Sequence, residues 1–122
     1  MTILRLADIA HARSGDKADR ADIGLFAWNA AGYSLLDRCV SAERVAAHFA
    51  HLASHGKALT VDRHALPNLL ALKFVLNDAL AGGAARSLRS DNLGKTIGAQ
   101  LLRMTIEVDA AAAAGAARSA PR

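Results

Sequence analysis

Cysteine is nearly missing from this 122-residue chain. Cys39 stands alone, so no disulfide can close within it, which suits a reducing compartment. Aromatic residues make up only 4% of the sequence, too few to build the stacking platforms that single-stranded nucleic acids use. Basic residues never gather into a run, and no standard nucleic-acid motif is present, so nucleic acid is not the expected partner. No apolar stretch approaches the roughly 20 residues that cross a bilayer, and the first residues do not read as a signal peptide. A soluble, cytoplasmic protein is expected on these grounds.

What the chain does have is aliphatic volume. Hydrophobic residues make up 52% of it, mostly alanine and leucine, which implies one domain with a tightly packed aliphatic core. The formal charge is +4, and arginine outnumbers lysine 11 to 4. That balance favours bidentate recognition of carboxylates or phosphates over diffuse attraction.

Periodicity predicts strands over residues 3–10 and 21–28 joined by a charged loop. The second strand is apolar in both alternation classes, which marks it as central. Asn29 to Gly32 reads as a turn leading to a short segment ending at Val40. Ser41 reads as the N-cap of a helix to about Ser54, with Val45, Phe49 and Leu52 on one face and Gly56 as its stop. A strand with one wet face follows over 59–63. Pro67 and Asn68 are expected to open a second helix to about Leu80, closed by Gly82 and Gly83. That helix would be apolar on two sides, with Lys73 inside its main stripe. Residues 85–90 read as a strand, 91–94 as a turn and 95–102 as a short helix. A clean alternation over 104–109 predicts a final edge strand. The expected fold is α+β: a ferredoxin-like sandwich over residues 1–109, mostly antiparallel sheet with helices packed on one face. Residues 110–122 are expected to form a disordered, alanine-rich tail.

The densest chemistry lies in His11-Ala-Arg-Ser-Gly-Asp-Lys17. Read as an anion site, Arg13 and Lys17 hold a carboxylate or phosphate, Ser14 and the Gly15 amide donate hydrogen bonds, and Asp16 or His11 moves a proton. Read as a connector, Asp16 bonds local amides and pairs with Arg20. Arg86, Ser87, Arg89 and Lys95 could close over the same anion or form a solvated edge. Asn68 opens its helix or touches the ligand, and Lys73 either snorkels or faces a site shared with a partner. His48, His51 and His55 have helical spacing but no accompanying cysteine or HExxH motif, so neither a metal nor a cofactor is expected.

Three ordered segments, His11 to Lys17, Leu66-Pro-Asn-Leu-Leu-Ala-Leu72, and Arg86-Ser-Leu-Arg89 with Gly94-Lys95, resemble the ferredoxin-fold domain of AtuA-like proteins, named for acyclic terpene utilisation. The similarity runs from about Leu4 to Ile106. It implies the small subunit of a two-component enzyme, partnered by a large AtuA-like subunit. The implied substrate is a short carboxylate or acyl-CoA, and the implied reaction is of hydratase, dehydratase or lyase type. The alternative is a non-enzymatic homo-oligomeric module that binds an anionic metabolite, and a basic RNA-binding domain is a third reading. The chain departs from the family pattern at Ala18, usually glycine, and at Asp22 and Lys73, both usually asparagine. A longer glycine run usually stands at Ala81-Gly82-Gly83.

Overall fold

Residues 1–17, 20–50, 59–77 and 97–117 are described by the structure, a computed structural model, with only the backbone given for Asp16 and Lys17. Strand β1 (Thr2–Arg5) ends in a 3-10 turn over Leu6–Asp8. The chain then runs into a long hairpin, β2 (Ala10–Lys17) and β3 (Arg20–Ala27), paired in register from Ala10 opposite Ala27 to Lys17 opposite Arg20. The expected charged loop is therefore a strand. Among the described side chains, its side toward the core carries the small residues Ala10, Ala12 and Ser14, which give almost no apolar signal.

Helix α1 (Ala30–Cys39) replaces the expected turn and segment. Its N-cap is Asn29, whose side chain accepts from the Gly32 amide at 2.7 Å and satisfies one of the otherwise orphaned first-turn donors. Ser41 caps α2 (Ala42–His48) as expected, accepting from the Arg44 amide. The helix ends earlier than predicted, at a Phe49 whose backbone has left helical geometry; the proposed Gly56 stop lies outside the described residues. At the other end of α1, Arg63 donates to the carbonyls of Val40 and Asp37 at 3.0 and 2.9 Å, and Arg44 donates to the Cys39 carbonyl. Cations thus satisfy carbonyls where the helix dipole is negative.

Strands β4 (Thr60–Leu66) and β5 (Ala71–Asn77) form a second hairpin around a 3-10 turn, Pro67–Leu69. The second predicted helix is thus a strand. An apolar run that satisfies a helical stripe on two sides fits a central strand equally well, and pairing with both β3 and β4 decides the matter. Leu72, Phe74 and Leu76 are wholly buried on one face while Lys73, Val75 and Asn77 alternate to the other. Gly82, Gly83 and the predicted elements at 85–94 lie outside the described residues.

Among the described residues, the sheet order is β2-β3-β5-β4, with a separate antiparallel ribbon of β1 and β6 (Thr105–Val108). A short helix, α3, covers 97–101, consistent with the one predicted there. Gly98 lets it approach β2 closely: a Cβ there would lie 3.2 Å from Ser14 Oγ and 3.4 Å from Ala12 Cβ. The described helices cover the face that carries Ile23, Leu25, Leu72 and Phe74, giving the α+β sandwich that was expected. No helix among the described residues is long and apolar enough to cross a membrane.

The expected tail is also structured over its first half. Helix α4 (Ala110–Ala116), capped by Asp109, packs on α1 and buries Ala113 and Ala116. A broad apolar stripe is unnecessary here because alanine and glycine allow the two helices to approach closely. Asn29 Nδ2 adds a bond to the Gly115 carbonyl. Enlarging the wholly buried Ala116 to leucine is therefore expected to lower unfolding free energy by about 1–3 kcal/mol in urea titrations. The same change at exposed Ala114 should stay within about 0.5 kcal/mol.

Candidate functional site

The open face of the four-stranded sheet follows from its register. Cross-strand neighbours across β2, β3, β5 and β4 are His11, Phe26, Ala71 and Leu66; then Arg13, Gly24, Lys73 and His64; then Gly15, Asp22, Val75 and Asp62. Two of these positions on β2 and β3 are glycine, so the face is dented where its neighbours bear side chains. The dent is a hollow of about 340 Å³, lined by Arg13, Gly15, Asp22, Gly24, Phe26, Leu66, Leu69, Ala71 and Lys73, with Ser14 and Leu72 behind.

Each glycine has a specific steric reason. A Cβ on Gly24 would stand 2.8 Å from Phe26 Cε1, so its absence lets the ring fold back along the strand and floor the hollow. A Cβ on Gly15 would stand 3.1 Å from Asp22 Oδ1, so its absence makes room for that carboxylate. An isolated glycine inside a strand often marks such a close approach.

The hollow has a charged end and an apolar end. Arg13 and Lys73 flank Gly24 on the neighbouring strands, two interstrand spacings or about 10 Å apart at their Cα atoms. Arg13 is exposed, and no described residue pairs with it. The Lys73 ammonium lies 3.9 Å from Asp22 Oδ2, with both side chains 48% exposed. At that distance and exposure the pair tethers Lys73 without consuming its charge. The two charged departures from the family pattern are thus neighbours. At the other end, Leu66 and Leu69 form a rim, with Leu69 62% exposed. They are held out by the turn before β5, in which Leu70 adopts a left-handed backbone at φ 53°. For a leucine this costs about 1–2 kcal/mol, and the bonds Leu70 N to Pro67 O and Ala27 N to Leu70 O keep it there.

The sequence-predicted residues divide sharply. Arg13, Gly15 and Lys73 come together at the hollow. Ser14 also borders the hollow, and its hydroxyl accepts from the Gly98 amide at 3.3 Å. His11 lies beside the hollow, stacked on Phe26 and Trp28 at centroid distances of 5.1 and 4.6 Å. Asn68 is exposed in the 3-10 turn and does not line the hollow. Asp16 and Lys17 sit in β2 opposite Ala21 and Arg20, with their side chains outside the described set. Arg86, Ser87, Arg89 and Lys95 fall outside the described residues, as do His51 and His55. His48 is within hydrogen-bonding distance of the Gln100 carbonyl, at 2.8 Å. No group of three or more metal-ligating side chains exists among the described residues. Sequence reasoning did not place Asp22, Gly24, Phe26, Leu66, Leu69 or Ala71 at the site.

The family model of the AtuA ferredoxin-like domain matches residues 4–107. No curated protein and no solved structure matches the chain.

Gly24→Ala fills the hollow by displacing the Phe26 ring. Stability is expected to change by less than about 1 kcal/mol, because alanine's better strand entropy offsets the crowding. The proton resonances of His11 and Trp28 should nevertheless shift as the stack is disturbed, while the far-ultraviolet circular dichroism stays the same.

Proposed function

The chain belongs to the AtuA ferredoxin-like domain family, and from that premise we propose that it is the small subunit of a two-component enzyme whose open sheet face receives an anionic small molecule. The substrate class is a short carboxylate or acyl-CoA, and the reaction is a hydration, a dehydration or a carbon–carbon cleavage. The observation that carries this reading is the hollow between two cations, floored by the Phe26 ring that lies over Gly24. An oxyanion beside that ring would meet the Arg13 guanidinium from one side and the Lys73 ammonium from the other, a placement that stabilises a carboxylate or a developing enolate-like oxygen.

Phe26, Leu66 and Leu69 supply apolar contact for the rest of the ligand. His11, stacked on Phe26 and Trp28 beside the hollow, and Asp16 are the candidates on this chain for proton transfer, unless the large subunit supplies that group. The described helices lie on the opposite side of the sheet, and the large AtuA-like subunit is the partner that would close this face. A cytoplasmic setting fits the single cysteine.

A second reading, a homo-oligomeric binding module, draws on the apolar end of the same face, where Trp28 and Leu66 are each 38% exposed and Leu69 more so. Co-expression with a neighbouring-gene large subunit separates the two. The enzyme reading expects co-purification and turnover that needs both chains, whereas a stable homodimer indifferent to that subunit supports the module. For the receptor itself, Arg13→Met retains the aliphatic stem and removes the guanidinium. It is expected to weaken butyrate binding by about tenfold or more, as followed by the Gly24 amide resonance. Unchanged binding would remove Arg13 from the site.

A further inference from the structure

Asp22 is the one acid among the described side chains that line the hollow, and its position is built rather than incidental. It lies on the central strand, two residues from Gly24, and the missing side chain at Gly15 is what admits its carboxylate. With Arg13 and Lys73 beside it, the described lining carries a net single positive charge.

We propose that Asp22 is a specificity-determining residue that restricts the hollow to singly charged carboxylates and disfavours dianions; the proposal rests on the receptor reading above and, of its two substrate classes, selects the short carboxylate over the polyanionic acyl-CoA. A monoanion in the hollow faces Arg13 and the tethered Lys73. A second negative group on the same ligand has two places to go. It meets the Asp22 carboxylate, at a distance where like charges repel, or it turns toward Phe26, Leu66 and Leu69, where its desolvation is unrewarded. The Lys73 tether acts in the same direction. Lys73 keeps its charge, but the Asp22 carboxylate 3.9 Å away offsets part of its field where a second anionic group would lie.

Asp22→Asn tests this because the amide is nearly isosteric, fits the same space above Gly15 and frees Lys73. The full-length protein and its Asp22→Asn and Arg13→Met variants would be titrated with butyrate and with succinate at fixed pH and ionic strength, following the Gly24 and Lys73 amide resonances. Wild type is expected to bind butyrate more tightly than succinate. In Asp22→Asn the ratio of the two affinities should move toward succinate by about three- to tenfold, since the dianion feels the lost negative charge twice. A ratio that stays within about twofold of wild type, while Arg13→Met still loses both acids, overturns the charge assignment and leaves the receptor reading standing. Wild type that binds neither acid, or Arg13→Met that binds both as wild type does, overturns the receptor reading and the inference together.

Discussion

The pairing register of β3 with its two neighbours is the constraint on which the site depends. Ile23 and Leu25 face Phe74 and Leu72 under the helices, and that burial fixes the register, since a slip of one residue would send the apolar set into water. Once it is fixed, the other face has no freedom left. Gly24 must lie between Arg13 and Lys73, and Gly15 must lie beside Asp22. The core therefore specifies the chemistry on the opposite side of the same strands without touching it.

The hollow is an absence arranged by that register. Two glycines in adjacent strands remove the side chains that would fill the face, and each one admits a neighbour: the Phe26 ring in one case and the Asp22 carboxylate in the other. The second hairpin completes the enclosure at some energetic cost. Leu70 is kept in a left-handed conformation so that Leu66 and Leu69 stand at the rim while Ala71 is covered. Backbone strain beside a recess of this size, with a guanidinium at its charged end with which no described residue pairs, is what motivates the receptor we propose.

Much of this was legible in the residues. The double apolar character of Ile23 to Phe26 marked β3 as central, Ser41 announced its helix, and Lys73 stood out as a cation inside an apolar run. The errors have physical causes. Ala12 and Ser14 are too small to register as a buried strand face, so β2 read as a loop. Leu69 to Leu76 is apolar at every phase, and periodicity cannot separate a buried helix from a central strand in so short a run. Asn29 is a good N-cap, but with Gly32 three residues on it reads equally well as a turn. Gly24 was the missed signal: a glycine inside a strong strand, whose purpose emerges only once the Phe26 ring is placed over it. The pairing of Asp22 with Lys73 joins two separately noted departures from the family pattern across one sheet, which linear spacing does not reveal.

The central claim is that an anion sits in the hollow between Arg13 and Lys73, beside the Phe26 ring that covers Gly24. Crystals of the full-length protein soaked in a brominated monocarboxylate would locate it directly by anomalous scattering. The account predicts a carboxylate in the hollow within hydrogen-bonding reach of Arg13, with the bromine toward Leu66 and Leu69. Occupied density elsewhere on the protein with the hollow left to water would contradict it.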